Sequence, residues 1–356
     1  KSLSRPSPQQ AAASKPGMSS PAHHSTSSER LRRIWRSRGP AAWALLPLAG
    51  LYAALSGLQR KLYAWGIKSA EHPGVPTIVI GNVIAGGAGK TPVTLATVEH
   101  LRARGVQVGI ISRGYGRKST QCQQATPESS PEAVGDEPLL MARSSGVPVF
   151  VAQRRIEAAR ALLQAYPATQ ALVCDDGLQH LALQRDVEVC VFNNEGIGNG
   201  WLLPAGPLRE PWPRKVSAVL HTGALPAHTP ASTPSFGLQR QLASYAINQL
   251  GERMPLDALR SQPLHAVAGI ARPEDFFHML QAAGLSLHST EALPDHYNFE
   301  SWQRPTDERL AVICTEKDAA KIWQHLPHAW AVPLQAQVES GYFDLLDRLL
   351  CLSSTH

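Results

Sequence analysis

From residue 76 onward, short apolar runs rich in Val and Ile alternate with stretches of helical character. This alternation limits the possible folds more than any other feature, because apolar strands separated by helices build a parallel sheet that is covered on both faces. The predicted strands are TIVIGN (77–82), VQVGIIS (106–112), VPVFVA (147–152), ALVCD (171–175), VEVCVF (187–192) and SAVLH (217–221). The predicted helices are 91–104, 135–145 and 153–165. The sequence therefore predicts an α/β fold.

A second, smaller α/β unit is predicted downstream. The stretch 222–235 is poor in order-promoting residues and is a predicted linker. Beyond it, strands are predicted at 264–270 and 310–315, and helices at 273–283 and from about Asp318. The predicted domains are a disordered tail (1–28), a basic and apolar membrane-associating helix (29–70), the main sheet domain (71–225) and a C-terminal α/β domain (226–356).

The N-terminal segment 41–58 carries no charge and follows a run of arginines. Its eighteen residues would reach only ~27 Å as a helix, short of the ~30 Å hydrocarbon core of a bilayer. On a helical plot, one face collects Leu51, Leu55, Leu58, Leu62 and Trp65, and the opposite face collects Ala49, Ala53, Ser56, Arg60 and Tyr63. We predict a helix that lies in a membrane surface, and a helix packed on the protein's own core is the alternative.

The stretch IAGGAGKTP (84–92) lies between a predicted strand and a predicted helix and nearly matches the phosphate loop G-x-x-x-x-G-K-[ST]. Gly89, Lys90 and Thr91 fit the pattern, but Ile84 occupies the place of the first glycine. Lys90 would reach the β- and γ-phosphates, and the Thr91 hydroxyl would bind Mg²⁺. This context predicts a sheet of the P-loop NTPase type, although a tight turn with an incidental lysine is the alternative.

A second metal contact is predicted where ALVCDDGLQH ends an apolar strand in Asp175 and Asp176. An acidic residue at the end of a neighbouring parallel strand commonly holds the metal of a phosphate loop. A helix N-cap would explain only one of these two aspartates. Gln179 and His180 are predicted to face the same cleft.

Further polar clusters follow other predicted strands. SRGYGRK (112–118) supplies Arg113 and Tyr115, GDEP (135–138) opens a helix, and GPLREP (206–211) follows the fifth strand. Arginines at strand carboxyl ends suit phosphate recognition. Asp136 or Glu137 could accept a proton from an attacking hydroxyl. Each cluster taken alone could also be a solvated loop.

Charge and cysteine content narrow the class of protein. The net charge of +6 indicates acidic partners such as nucleic acid, phosphorylated small molecules or anionic lipid. The basic residues are dispersed and no nucleic-acid-binding signature is found, so no nucleic acid partner is expected. The five cysteines form no C-x-x-C pair and are predicted to be free thiols in a reducing compartment.

Together these motifs resemble one family, the tetraacyldisaccharide 4′-kinases, which are the lipid A 4′-kinases of Gram-negative bacteria. The matching segments are GNVIAGGAGKTP, SRGYGR, GDEP, DDGLQHLALQRD, LLPAGPLREP, PDHYNF and TEKDAAK. The resemblance implies transfer of the ATP γ-phosphoryl group to the 4′-hydroxyl of an acylated glucosamine disaccharide 1-phosphate. It implies ATP and Mg²⁺ as cofactors.

The resemblance also assigns residues. It implies Asp136 as general base, His296 of PDHY as its assistant and Lys90 as a catalytic group. The implied nucleotide loop is Ile84, Ala85, Gly86, Gly87, Ala88, Gly89, Lys90 and Thr91. The implied metal ligands are Thr91, Asp175, Asp176 and Glu210. The implied cleft residues are Asn82, Arg113, Tyr115, Glu137, Gln179, His180, Arg209, Lys317 and Asp318.

The expected partners are the lipid disaccharide substrate and the anionic surface of the inner membrane, where the chain would act at the cytoplasmic face as a peripheral or monotopic monomer. One rival is a GTPase or ATPase switch of the partition or metallochaperone type, since TEKD (315–318) is similar to a guanine-reading loop. A second rival is a non-catalytic membrane-binding module.

Overall fold

The computed structural model describes residues 27–87 and 89–351. The described chain opens with three helices, α1 (Ser27–Trp35), α2 (Pro40–Ala44) and α3 (Leu46–Ala64). The predicted tail 1–28 lies outside the described residues except for its last two positions, and Ala88 of the predicted phosphate loop also lies outside them.

The larger sheet unit mixes strands and helices up to residue 175, after which three further strands follow with no helix between them. These elements are β1 (Thr77–Gly81), α4 (Lys90–Ala103), β2 (Val108–Ser112), β3 (Gln123–Ala125), α5 (Pro131–Val134), α6 (Asp136–Ser145), β4 (Val149–Val151), α7 (Arg155–Ala165), β5 (Ala171–Asp175), β6 (Val187–Phe192), β7 (Ala218–His221) and β8 (Ser235–Leu242). The six predicted strands and three predicted helices of this region are all present.

The remaining elements are shorter. They are β9 (Tyr245–Ile247), β10 (Arg253–Pro255), α8 (Leu256–Leu259), β11 (Leu264–Ala268), α9 (Pro273–Ala282), β12 (Leu287–Ala292), β13 (Ala311–Thr315), α10 (Glu316–Ile322), β14 (Trp330–Val332), β15 (Leu334–Val338) and α11 (Ser340–Leu349). The strands and helices predicted after residue 263 match β11, α9, β13 and α10.

The larger sheet has nine strands in the order β15-β8-β7-β6-β1-β5-β2-β4-β3. Its inner strands run parallel, and β3 and β15 pair antiparallel at the two edges. The strands β1, β2 and β5 are buried along their whole length, as apolar strands covered on both faces must be. Their carboxyl ends share one edge of the sheet, where β1 register places Ile80 beside Asp175.

The sheet also draws strands from beyond the predicted boundary at residue 225. β8 pairs with β7, and β15 pairs with β8 along Leu238–Leu242. The C-terminal helix α11 then packs Tyr342 into the larger core, where its hydroxyl bonds the Thr97 hydroxyl at 2.8 Å. The hydrogen bonding of the larger sheet therefore extends into the C-terminal third of the chain, while the division into domains stays a prediction.

A second sheet has six strands in the order β10-β9-β14-β13-β11-β12. Strands β12, β11, β13 and β14 run parallel, and β9 and β10 add an antiparallel hairpin at one edge. Phe276, Phe277 and Leu280 of α9 pack on one face of this sheet, while Ile322 and Trp323 belong to the cluster on the other. This unit carries the loop that holds His296.

The N-terminal helices lie against the larger sheet unit through polar contacts. The Trp35 indole donates to the Pro204 carbonyl at 2.9 Å, and the Arg38 guanidinium donates to the Asn199 carbonyl at 3.0 Å. Helix α3 also has a face that is exposed to solvent, where Leu51 and Leu55 are 58% and 61% exposed. Across residues 27–87 and 89–351, no helix is long and apolar enough to cross a membrane.

Candidate active site

The phosphate loop joins β1 to α4 at the carboxyl edge of the larger sheet. Gly86 and Gly89 have φ angles of 110° and 79°, a region that only glycine enters readily. Helix α4 begins at Lys90 directly after the loop, so its first N–H groups and positive dipole end lie beside the loop. These are the groups that a bound phosphate requires. Ala88 belongs to the same loop but lies outside the described residues.

The unusual entrance of the loop has a structural reason. Ile84 is buried in the larger core, and its backbone forms an antiparallel bridge with Leu208 of the GPLREP segment. The Ala85 N–H donates to the Pro207 carbonyl at 2.7 Å, and the Arg209 N–H donates to the Val83 carbonyl at 2.7 Å. A short β-ladder therefore replaces the glycine turn at this end of the loop, and the Ile84 side chain serves packing.

Lys90 and Asp176 are neighbours, with 3.7 Å between the ammonium nitrogen and the nearer carboxylate oxygen. Arg209 approaches the other oxygen of Asp176 at 3.4 Å. Burial alone would raise the pKa of Asp176, but the charges of Lys90, Arg209 and Arg155 outweigh burial and lower it. Asp176 is therefore held as a carboxylate between two cations that can also bind phosphate.

Asp175 occupies a different environment, because its side chain is buried. One carboxylate oxygen accepts from the Thr94 hydroxyl at 2.9 Å, and among the described residues the other oxygen has no partner. Burial, and then the nearby charge of Glu137, raise the pKa of Asp175 to about 7. A buried carboxylate oxygen without a partner at the edge beside the phosphate loop suits a hard cation such as Mg²⁺.

Glu210 was predicted as a metal ligand, and the structure gives it other partners. Its carboxylate is buried, pairs with Arg214 at 3.1 Å and accepts from the Gln179 amide at 2.7 Å. The same Gln179 amide nitrogen also donates to the Asn82 carbonyl at 2.9 Å. Since Arg214 already neutralises it, Glu210 positions Gln179 and the phosphate-loop entrance in this arrangement.

Asp136 and His296 meet although 160 residues separate them. Helix α6 begins at Asp136, and the His296 Nδ1 lies 2.9 Å from its Oδ2 oxygen. Lys321 of α10 donates to the same oxygen at 2.8 Å. Burial would raise the pKa of Asp136, but the bonds from His296 and Lys321 outweigh burial and lower it. The aspartate is thus an ionised hydrogen-bond acceptor.

The tautomer of His296 follows from its second neighbour. Lys317 places its ammonium 3.3 Å from Nε2, and an ammonium can only donate. Nε2 is therefore the unprotonated nitrogen, and the ring proton resides on Nδ1, where it bonds Asp136. Burial would lower the pKa of Lys317, but the charges of Glu137 and Asp295 outweigh burial and raise it.

Asp318 was implied as a cleft residue, and the structure gives its carboxylate a structural role. Its side chain is 1% exposed, and Oδ2 accepts from the Thr315 hydroxyl at 2.6 Å and from the Gly269 N–H at 2.9 Å. Thr315 in turn caps α10 by accepting from the Asp318 N–H. A carboxylate engaged in this way cannot pair with a guanine base, which removes the main support for a GTPase switch.

The remaining predicted cleft residues surround the two aspartates. One cleft is lined by Tyr52, Ser112, Arg113, Tyr115, Glu137, Arg155, Asp175, Asp176, Gln179, His180 and Arg209. Burial, and then the charges of Arg155, Arg185 and Arg113, lower the pKa of His180 to about 4, so its ring is neutral. Tyr115 also approaches His296, with ring centroids 5.4 Å apart, and so connects this cleft to the Asp136 pair.

Comparison with known proteins agrees with these features. The sequence model of the tetraacyldisaccharide-1-P 4′-kinase family matches residues 41–351.

The chain belongs to this family.

The family's relatives are similar along nearly their whole length. The tetraacyldisaccharide 4′-kinase of Acidovorax sp. (strain JS42) is 60% identical over 339 residues, which cover 95% of this chain and 99% of the relative. That of Delftia acidovorans is 59% identical over 321 residues, covering 90% and 94%. The resemblance predicted from the motifs is confirmed.

A solved member of the family shares the fold. The crystal structure of LpxK from Aquifex aeolicus in complex with ATP superposes with a TM-score of 0.77 at 27% identity, covering 87% of this chain and 99% of that one. This likeness confirms the predicted fold class, an α/β sheet of the P-loop type with a second α/β unit. It also gives a family precedent for ATP binding.

Several residues of the candidate site were not predicted individually. Thr94 lies one turn after Thr91 and bonds Asp175, and Arg155 opens α7 and donates to the Asp176 carbonyl at 2.9 Å. Lys321 lies in the TEKDAAK motif, which was the only signal for it. Tyr52 lies in α3, a helix that was predicted to lie in a membrane surface and not at the cleft.

Proposed function

We propose that the chain transfers the γ-phosphoryl group of ATP to the 4′-hydroxyl of a tetraacylated glucosamine disaccharide 1-phosphate, giving the bisphosphorylated lipid A precursor. The main observation behind this proposal is that, in a chain of this family, the phosphate loop and the Asp136–His296 pair lie close together. The phosphate loop with Lys90 and Asp176 lies beside one cleft, and the Asp136–His296 pair reaches that cleft through Tyr115. The residues assigned to the nucleotide and those assigned to the acceptor hydroxyl are therefore close to the same cleft.

Nucleotide binding is assigned to the loop and to the start of α4. The N–H groups of Gly86, Gly87 and Gly89 would surround the phosphates, and the Lys90 ammonium would leave Asp176 to contact the β- and γ-phosphates. Thr91 and the unpartnered oxygen of Asp175 would hold Mg²⁺, which when bound offsets the negative charge of the phosphates.

A metal held in this way takes few ligands from the protein. In the described part of the chain, no group of three or more His, Cys, Asp or Glu side chains could hold a metal ion together. Mg²⁺ commonly uses one or two carboxylates and completes its shell with water and substrate phosphates. The single free oxygen of Asp175 and the Thr91 hydroxyl fit that pattern.

The acceptor hydroxyl is assigned to Asp136. The oxygen of the acceptor hydroxyl attacks the γ-phosphorus of ATP, and the bond from that phosphorus to the bridging oxygen of ADP breaks. The proton of the hydroxyl moves to the Asp136 carboxylate. His296, neutral and with its proton on Nδ1, orients that carboxylate and stabilises its charge before transfer. Positioning and charge neutralisation supply most of the rate enhancement in phosphoryl transfer.

Basic side chains around the cleft suit a substrate that already carries a phosphate. Arg113 is exposed at the cleft wall, and Arg209 reaches Asp176 from the GPLREP segment. Guanidinium groups bind phosphate by two parallel hydrogen bonds. We assign Arg113 and Arg209 to the anionic groups of the lipid and nucleotide.

The membrane partner is assigned to the exposed face of α3. Leu48, Leu51, Leu55 and Leu58 are each more than half exposed, as are Trp43 and Trp65 at the two ends of the helical segment. An apolar face flanked by tryptophans and cations is typical of a helix lying in the lipid interface. We propose attachment to the cytoplasmic face of the inner membrane, with the chain acting as a monomer.

The proposal is tested by incubating purified protein with ATP, Mg²⁺ and the tetraacylated disaccharide 1-phosphate in detergent. Mass spectrometry should detect a lipid product heavier by one phosphate, formed with ATP and requiring the lipid. Nucleotide hydrolysis at equal rates with and without lipid, and no phosphorylated lipid, would favour a nucleotide switch instead.

A further inference from the structure

Lys321 carries a buried charge in the contact between the two sheet units. Its side chain is 8% exposed, as is that of Asp136, and its ammonium lies 2.8 Å from the Asp136 Oδ2 oxygen. The same ammonium donates to the Tyr297 carbonyl at 3.0 Å. Burying an ammonium is costly unless it is paired, so these two contacts determine where Lys321 lies.

The two partners of Lys321 belong to the two halves of the Asp136–His296 pair. Asp136 begins α6 of the larger sheet unit, whereas Tyr297 follows His296 in the loop after β12. One side chain therefore connects the carboxylate with the backbone that carries the imidazole. It fixes both members of the pair from one point on α10.

The backbone at His296 needs such support. Its φ angle is 63°, in the left-handed region that residues with side chains rarely adopt. The His296 N–H donates to the Gly269 carbonyl at 3.1 Å, and the Gly269 N–H donates to Asp318. Asp318 and Lys321, three positions apart in α10, thus hold the His296 loop through separate contacts.

Both donors to Asp136 use the same oxygen. His296 and Lys321 each bond Oδ2, and within the described residues no hydrogen bond to Oδ1 is formed. Asp136 also lines a recess together with Tyr115, Gly116 and His296. Occupation of Oδ2 from the protein side leaves Oδ1 as the oxygen that can face a hydroxyl.

We propose that Lys321 is a positioning residue for phosphoryl transfer: it clamps Oδ2 of Asp136 and the backbone beside His296, so that Oδ1 is presented as a carboxylate to the acceptor hydroxyl. This inference rests on the proposed kinase function. In this role Lys321 needs to contact neither substrate nor nucleotide. It acts through Asp136, and it makes the active pair depend on contact between the two sheet units.

The pH dependence follows from the charges around Asp136. The titratable groups around it are His296 from the loop after β12, Lys317 and Lys321 from α10, Glu137 on its own helix, and Tyr115, Lys118, Glu132 and Glu300 along the recess. Removal of the Lys321 ammonium deletes the closest cation and one hydrogen bond. The pKa of Asp136 then rises, so the carboxylate forms, and activity appears, only at higher pH.

The test compares Lys321→Met and Lys321→Arg with a control variant, Lys215→Met. Lys215 is an exposed lysine before β7, at the opposite edge of the sheet. For Lys321→Met we expect kcat to fall by about tenfold or more, with the KM for ATP within about twofold of wild type. The acidic limb of its kcat–pH profile should move up by about 1 pH unit.

Lys321→Arg keeps the charge, so its acidic limb should stay in place while kcat falls because the donors have moved. Lys215→Met should match wild type.

A folded Lys321→Met protein with wild-type kcat and an unmoved acidic limb would overturn the proposal. Should that variant fail to fold, Lys321→Arg decides alone, since a wild-type kcat there would contradict positioning. NMR titration of the Asp136 carboxyl in wild type and Lys321→Met gives an independent reading without turnover. If wild type phosphorylates no lipid, the proposed function fails, whereas an unchanged Asp136 titration would count against the role of Lys321.

Discussion

The Tyr52 hydroxyl donates to the backbone carbonyl of Arg209 at 2.7 Å. This bond joins the helix with the exposed apolar face to the segment whose guanidinium reaches Asp176. The N-terminal helix is therefore part of the cleft wall as well as a surface element. Its removal as a block, over residues 30–65, would take Tyr52 from the cleft and Arg32 from the Ala271 carbonyl, to which it donates. Point substitutions separate these roles.

Tyr52→Phe removes only the hydroxyl bond to Arg209. We expect kcat/KM for the lipid to fall about fivefold, the effect of losing one hydrogen bond worth ~1 kcal/mol, while the KM for ATP stays constant. Steady-state kinetics with each substrate varied in turn would measure this. Tyr63→Phe on the same helix is the control. Equal kinetics for both variants would show that the Tyr52 contact does not position Arg209.

The exposed leucines of α3 should control membrane binding. Replacing Leu51, Leu55 and Leu58 with Ser removes three apolar side chains, each worth roughly 1.5–3 kcal/mol when fully buried, so vesicle binding should weaken by at least about 100-fold. Sedimentation with vesicles of anionic phospholipid measures this. Leu250→Ser, at a residue 69% exposed in the second sheet unit, should bind as wild type. Unchanged sedimentation of the triple variant would contradict the interfacial assignment.

Lys90→Ala and Asp176→Ala should each nearly abolish phosphoryl transfer. Lys90 would neutralise the transferred phosphate, and Asp176 lies between Lys90 and Arg209, so either change upsets the charge balance beside the loop. We expect a loss of about 1,000-fold or more in kcat/KM. Lys215→Ala is the matched control. A Lys90→Ala enzyme with more than about a tenth of wild-type activity would be incompatible with the assigned role.

His180 should make folding stability depend on pH. Its pKa is lowered to about 4, against ~6.5 in an unfolded chain, so the unfolded state binds more protons below neutrality. The stabilising contribution is complete above pH ~6.5 and is lost as pH falls toward ~4. Urea unfolding midpoints are measured for wild type and His180→Gln at pH 7.5 and at pH 5. The midpoint should fall less between these two pH values for His180→Gln than for wild type. His328→Gln, on the surface, should keep the wild-type drop, and identical drops in all three proteins would refute this role.

The inner strands of the larger sheet could be predicted because each encodes its own burial. TIVIG and ALVCD are apolar except for Thr77 and Asp175 at their ends, and near-continuous apolar runs of this kind are typical of strands covered on both faces. Strand β8 reads SFGLQRQL and is mostly half-exposed, and its partner β15 lies about ninety residues later. No local pattern specifies such a long-range antiparallel pair, so the extension of the sheet beyond residue 225 could not be predicted.

In the candidate site, too, some contacts could be predicted from local sequence patterns and others could not. Lys90, Asp175 and Asp176 follow strands whose ends must meet, so their proximity could be predicted from the residues alone. The Asp136–His296 contact joins two sheet units and was expected only from family resemblance. Glu210 was implied as a metal ligand by the family resemblance, and its ion pair with Arg214 could not be predicted from the sequence. Side-chain pairing across units depends on packing that a linear pattern does not contain.

The most direct test of the central claim is transfer of label from γ-³²P-ATP to the lipid by wild type and by Asp136→Asn, with Asp257→Asn as an exposed control. If Asp136 accepts the proton of the attacking hydroxyl, wild type and Asp257→Asn should label the 4′-position at equal rates. Asp136→Asn should bind ATP with unchanged affinity and label the lipid at least about 100-fold more slowly. Labelling by Asp136→Asn at the wild-type rate, or label released only as inorganic phosphate, would contradict the claim.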